Sequence, residues 1–260
     1  MRPSAQQWAQ PWFTPYEAAQ RALIPHAALP AAQALQKARH PACPQFVPQG
    51  SLAADEPYEA HIARTDTVPT RDNLHDFFNG LVWLTFPQAK RQLNALQAGE
   101  IARRGIGPTR GPLRDALTLF DENGAVLDAP QALWVALLAR DWRALFIDQR
   151  ALWQEARLLV FGHALMEKLL AGRKDATAHV LLAPGTAHSI PPDDAAIAAA
   201  LQPAHLAQKP FTPLPIAGVP GWRPENANFC FYDDLQVFRP RRRPEPTTTA
   251  KAPARERRTA

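Results

Sequence analysis

Apolar positions change their rhythm along this chain, and each change marks an element. From Asn73 onward, Leu74, Phe77, Phe78, Leu81, Val82 and Leu84 cover most of a helical circumference. The pattern predicts a buried helix with Asn73 as its N-cap. Pro87 ends that helix or opens the next one at its first position, where a missing N–H costs nothing. Ala89 to Arg103 then reads as a surface helix with a charged face. Between Leu113 and Leu127 the period shifts, and Asp121-Glu122-Asn123-Gly124 separates two apolar runs. Asn-Gly supplies the φ > 0 residues of a tight turn, so a β-hairpin is expected near 115–128. Asp128 and Pro130 start a helix through Leu138, and Asp141 to Asp148 makes a short helical turn. Leu152, Ala156, Leu159, His163, Met166 and Leu170 then recur in alternating steps of four and three. They predict a long central helix over 149–170. Ala178 to Leu182 reads as a strand, and Asp193 to Leu201 as a capped helix.

Proline sets the limits of this core. Of 27 prolines only Pro87, Pro108, Pro112 and Pro130 fall within 70–183, and proline is excluded from the interiors of long helices and central strands. The reading is an α+β fold, predominantly helical: a buried central helix, a β-hairpin and proline-rich wraps from both termini. Residues 1–240 form a single globular domain, divided into an N-terminal wrap (1–72), a core (73–183) and a C-terminal wrap (184–240) pinned by Phe211, Trp222, Phe229, Phe231, Tyr232 and Phe238. Residues 241–260 are read as a disordered basic tail rich in Pro and Thr.

Charge changes the picture only through that tail. The chain of 260 residues carries +5, but from Arg239 onward eight basic residues face two acids, leaving the preceding 238 residues at −1. The fold therefore presents no basic nucleic-acid face, and the tail alone offers weak, salt-dependent association. Cys43 and Cys230 are too few and too far apart for a disulfide framework or a zinc knuckle, so reduced thiols and a cytoplasmic setting are expected. The N-terminus lacks a signal peptide's apolar core, and no apolar run is long enough to span a bilayer.

His163 is the leading candidate for chemistry, because the stripe places an ionisable ring on a buried face with Glu167 one turn further on. Such a pair can share a metal or act as base and orienting acid, His163 the base and Glu167 its orienter; a core histidine hydrogen-bonded to a carbonyl or to Glu167 is the reading that weighs more. The local sequence lacks a third ligand, so no metal set or cofactor is assigned. His75 and Asn79 form another i, i+4 pair on an apolar helix and need partners, either in a structural network or in a pocket. Asp121 and Glu122 are adequately explained by turn chemistry. Arg103, Arg110 and Arg114 lie among glycines and suit an anionic group as well as they suit a solvated loop. The tryptophans read as core, and no serine or cysteine has the surroundings of a nucleophile.

Several blocks carry a resemblance. His75-Asp76-Phe77-Phe78-Asn79, Trp83-Leu84-Thr85-Phe86-Pro87 with Lys90 and Asn94, Leu117 to Glu122, Phe161 to Lys168, Thr177-Ala178-His179, and Gly218 to Trp222 with Phe231-Tyr232-Asp233 are similar, in that order, to the bacterial domain-of-unknown-function 3025 family. The likeness covers about residues 10–240. It marks His75, Asn79, Lys90, Asp121, His163, Glu167 and His179 as motif positions and implies no mechanism for them. Three functional readings follow. The first is a small-molecule enzyme or ligand-binding protein, with hydrolysis suiting the groups, in which His163, Glu167, His75 and Asn79 form one pocket and Arg103, Arg110, Arg114, Lys90, Asp121 and His179 hold an anionic ligand. The second is a non-catalytic interaction module with a structural polar core. The third is nucleic-acid association through the tail, to be lost on deleting residues 240–260. The oligomeric state is not read from the sequence.

Overall fold

The computed structural model describes residues 2–105, 111–185 and 188–241; the expected basic tail from residue 242 and the candidate Arg110 lie outside them. The helices are α1 Ala5–Trp8, α2 Glu17–Leu23, α3 Ala31–Ala38, α4 Tyr58–Thr65, α5 Leu74–Thr85, α6 Pro87–Arg104, α7 Pro112–Asn123, α8 Gln131–Ala139, α9 His163–Leu170, α10 Asp194–Ala200 and α11 Pro203–Leu206. The strands are β1 Gln45–Pro48, β2 Thr67–Thr70, β3 Gly124–Asp128, β4 Arg157–Val160, β5 Thr177–Leu181 and β6 Phe211–Pro215. Strands β1 and β2 make a parallel pair, while the others form a sheet ordered β4-β3-β5-β6, parallel only between β3 and β5. The fold is α+β and predominantly helical.

Local rules account for the elements that were foreseen. Asn73 caps α5 by accepting the Asp76 N–H at 2.8 Å, and Asp193 caps α10 through the Ala196 N–H at 2.9 Å. Pro87 occupies the first turn of α6. Helix α5 is apolar nearly all round and is the buried central helix, packed against α3, α6 and α9.

Three expectations give way. The 115–128 hairpin is instead helix α7 running directly into strand β3, whose partners are the distant β4 and β5. Leu113, Ala116, Leu117, Phe120 and Asp121 share one helical face, and that period outweighs the Asn123-Gly124 turn signal. The 149–170 helix is likewise broken. Residues 150–154 form a 3₁₀ turn, 157–160 the strand β4, and only His163–Leu170 is α-helical. Leu158-Leu159-Val160-Phe161 is a short apolar run closed by Gly162, which suits a strand buried in a sheet as well as it suits a helical stripe. Finally, α6 is no ordinary surface helix: Lys90, Asn94, Gln97 and Glu100 are all buried.

Both wraps close onto one core that runs from Trp12 to Phe238. Phe13 stacks on Phe78 at 5.7 Å, and Trp12 meets Trp222 at 5.9 Å. At the other end Asn226 is fully buried, its amide donating to the carbonyls of Ala217 at 3.0 Å and Val219 at 2.7 Å. The fully buried Tyr16 ties the N-terminal wrap to the sheet by donating its hydroxyl to the Val160 carbonyl at 2.7 Å. Tyr16→Phe leaves that carbonyl unpaired, and urea unfolding is expected to show a loss of about 1–3 kcal/mol. Burial holds the Tyr16 phenol well above its ordinary pKa of 10. Its contribution is therefore full below pH 10 and lost as pH rises further, and wild type should lose stability more steeply with alkali than Tyr16→Phe.

The two thiols differ in the same way. Cys43 is buried, donates to the Trp83 carbonyl at 3.2 Å, and is pushed up to about 11 chiefly by burial; Cys230 is exposed. An aromatic disulfide reagent at pH 8 should titrate one thiol per native chain, and Cys230→Ser should abolish that fast reaction.

Candidate functional site

Gly162 decides how the site is assembled. A Cβ at this position would lie 2.5 Å from the Glu122 carbonyl oxygen and from the Asn123 nitrogen, so only glycine lets the start of α9 press against the end of α7. The Gly162 N–H donates to the Gly124 carbonyl at 2.8 Å. This contact brings His163 beside Asp121 and Glu122. Helix α5, crossing in front, contributes His75 and Asn79, and α4 contributes Tyr58 and Glu59. A cavity of about 290 Å³ results, lined by these residues together with Gln49, Leu52, Arg71 and Asp76.

The two histidines meet in it. His163 Nε2 lies 3.1 Å from His75 Nε2 and 3.5 Å from Glu122 Oε2. On the far side of each ring stands an acidic residue: Glu167 Oε2 is 3.4 Å from His75 Nδ1, and Asp121 Oδ2 is 4.0 Å from His163 Nδ1. His163 Nδ1 itself completes no hydrogen bond. Glu167 thus pairs with His75 on the neighbouring helix, not with His163 one turn away on its own helix. The expected base–orienter pair is replaced by two crossed ones.

Behind the histidines runs a buried polar chain. Lys90 Nζ donates to Asp121 Oδ1 at 2.5 Å and to Asn79 Oδ1 at 2.8 Å, and the Asn79 amide donates to the Tyr58 hydroxyl at 2.9 Å. The Asn94 amide donates to Glu59 Oε2 at 2.7 Å. Burial alone would raise the Asp121 carboxyl, but the Lys90 charge, joined in acid by that of protonated His163, outweighs it and holds it below the ordinary carboxylate value. Glu59 and Glu122 are raised, each by burial first and then by the neighbouring Asp121 charge. Burial pushes His163 down to about 4, against the pull of Asp121, so its ring is neutral at physiological pH.

Not every candidate joins. His179 sits on β5 opposite Gly124 and does not line the cavity. Arg103 and Arg104 are both paired with Glu100 on α6, and Arg114 also stays outside the lining. Arg71 is the lining arginine, and Asp76 holds it in a double hydrogen bond at 2.9 and 3.1 Å. Lys90 and Asn79 enter as the floor that supports Asp121. Glu122, Arg71, Tyr58 and Glu59 were missed by sequence reasoning. Glu122 follows buried Asp121 directly but lies off the apolar face of α7, so the helical pattern carries no signal for it. A wider groove of about 670 Å³ beside Trp153 and Pro220 gathers no comparable set, since its Arg150 is already bound to Tyr232 and Asn226.

Fold and site together define a predominantly helical α+β protein with a partly enclosed histidine–carboxylate centre. The family model described as protein of unknown function (DUF3025) matches residues 44–242, and the chain belongs to that family. No curated protein and no solved structure matches it. No helix among the described residues is long and apolar enough to cross a membrane.

Proposed function

We propose that this protein is a small-molecule enzyme whose reaction is the hydrolysis of a small polar acyl compound in the His75–His163 cavity. The observation that carries the reading is the convergence of two imidazole nitrogens at 3.1 Å with carboxylates of two helices around them. A water molecule bound in this cavity would come within reach of His163 Nε2 and Glu122, which would orient it toward a substrate carbonyl. Tyr58 and Arg71 line the approach. The lining opposes one arginine, already held by Asp76, to Glu59, Asp76, Asp121 and Glu122, so the side chains alone favour an uncharged reacting group over the anionic ligand expected from the arginines.

The test is turnover of a panel of small chromogenic esters, amides and phosphate monoesters by wild type and by His75→Ala, whose half-exposed ring is removable without opening the core. Loss of about 100-fold or more in kcat/KM, with an unchanged melting temperature, is the expected result. Turnover that His75→Ala leaves intact defeats the proposal, as does no turnover of any compound.

One observation favours a second reading, a non-catalytic module with a structural polar core. Lys90, Asn79 and Tyr58 spend their polar atoms on one another and on Asp121. Under that reading His75→Ala changes neither turnover nor the binding of any small molecule.

A further inference from the structure

Two imidazole nitrogens face each other in the cavity, His75 Nε2 and His163 Nε2 at 3.1 Å, with Glu122 Oε2 3.5 Å from the second. Glu167 stands 3.4 Å from His75 Nδ1, on the far side of that ring. A proton shared between the two Nε2 atoms satisfies them as a hydrogen bond, whereas a cation held by both takes in Glu122 as well. The acidic lining favours the cation, because Arg71 is paired with Asp76 and Lys90 with Asp121, and among the described residues Glu122 has only His163 within ion-pair distance.

Resting on the reading of this cavity as the reactive centre, we infer that it holds one divalent metal ion, zinc by its ligand set, on His75 Nε2, His163 Nε2 and the Glu122 carboxylate. The three ligand atoms lie within 4.8 Å of one another. Two of the three separations, 3.1 and 3.5 Å, lie close to the edge of about 3.3 Å for a tetrahedron with zinc–ligand bonds of 2.0–2.1 Å, and the wider His75–Glu122 edge, within 4.8 Å, closes by a small movement of the Glu122 side chain. Two histidines and one glutamate with a fourth position open to a cavity form a catalytic rather than a structural zinc set. Glu167 and Asp121 become the outer groups that fix the tautomers and sharpen the ligands. The ion supplies what the side chains lack: a positive charge to polarise a carbonyl or phosphoryl oxygen and to acidify a bound water. The substrate class thereby extends to anionic acyl and phosphoryl compounds, which the arginines do not serve.

The experiment is calorimetric titration of the full chain with zinc chloride after dialysis against a chelator, with cobalt chloride as the optical probe. One zinc per chain, and the visible band of tetrahedral cobalt, are expected. His75→Ala and Glu122→Gln should each abolish tight binding, Glu167→Gln should weaken it by about 10- to 100-fold, and Cys230→Ser should leave it unchanged. No binding to wild type, or affinity undisturbed by both His75→Ala and Glu122→Gln in folded protein, overturns the inference. Hydrolysis by wild type that persists in chelator, with no zinc in the sample, also overturns it while leaving the hydrolytic reading in place. Stoichiometric zinc lost in both ligand variants, without turnover of any compound, sustains the site and removes that reading.

Discussion

Lys90→Met is expected to cost the fold about 3–5 kcal/mol, the loss that follows when one member of a buried ion pair is removed and the other stays charged. Methionine keeps most of the aliphatic stem and removes the ammonium that lies 5.4 Å from the Trp83 ring centroid, so the loss reports electrostatics more than a cavity. Asp121 would be left buried with no cation beside it, and the Asn79 carbonyl without its donor. The comparison that isolates the pair is Lys90→Met with Asp121→Leu. Because isosteric apolar replacement of a buried pair is commonly neutral or stabilising, the double variant should regain most of the loss. What remains measures the orphaned Asn79 oxygen, about 1–3 kcal/mol. Urea unfolding of the four proteins gives the cycle. A single-variant cost below about 1 kcal/mol would mean that water reaches Asp121, and the buried network would lose its meaning as a support for His163.

Such a network explains why part of the site was legible in the sequence and part was not. His75, Asn79 and His163 stood out because polar groups on apolar faces need partners wherever the chain folds, and the structure supplies them. The caps at Asn73 and Asp193 were legible because a cap is settled by residues three apart. Non-local partners were not legible. Lys90 lies 31 residues from Asp121, and Glu167 pairs with a histidine on another helix. Charged positions on α6 therefore looked solvated, when that face is turned inward by α4 and α10. At two places local signals compete: at α7 the Asn123-Gly124 turn against the helical period, and at β4 the long stripe against the short apolar run ending in glycine. In both cases the sheet decides, since β3 must lie between β4 and β5, and a strand there removes the hairpin and the long helix together.

That same sheet makes Gly162 a sensitive backbone position of the site, and Gly162→Ala is expected to destabilise the protein by about 3 kcal/mol or more, at or above the upper end of ordinary overpacking. The added methyl group meets main-chain atoms of Glu122 and Asn123 at 2.5 Å, and unlike a side chain the backbone there cannot rotate away. Relief requires α9 to move off α7, which stretches the 2.8 Å bond from Gly162 to the Gly124 carbonyl and carries His163 away from Glu122. Gly99→Ala is the matched control. Gly99 is exposed within α6 and a Cβ there meets nothing within 4 Å, so alanine should gain about 0.5–1 kcal/mol from helix propensity. Opposite signs at two glycines, read from urea midpoints, separate close approach from propensity. If Gly162→Ala unfolds within about 0.5 kcal/mol of wild type, the α7–α9 contact is looser than described, and the geometry that joins His163 to Glu122 falls with it.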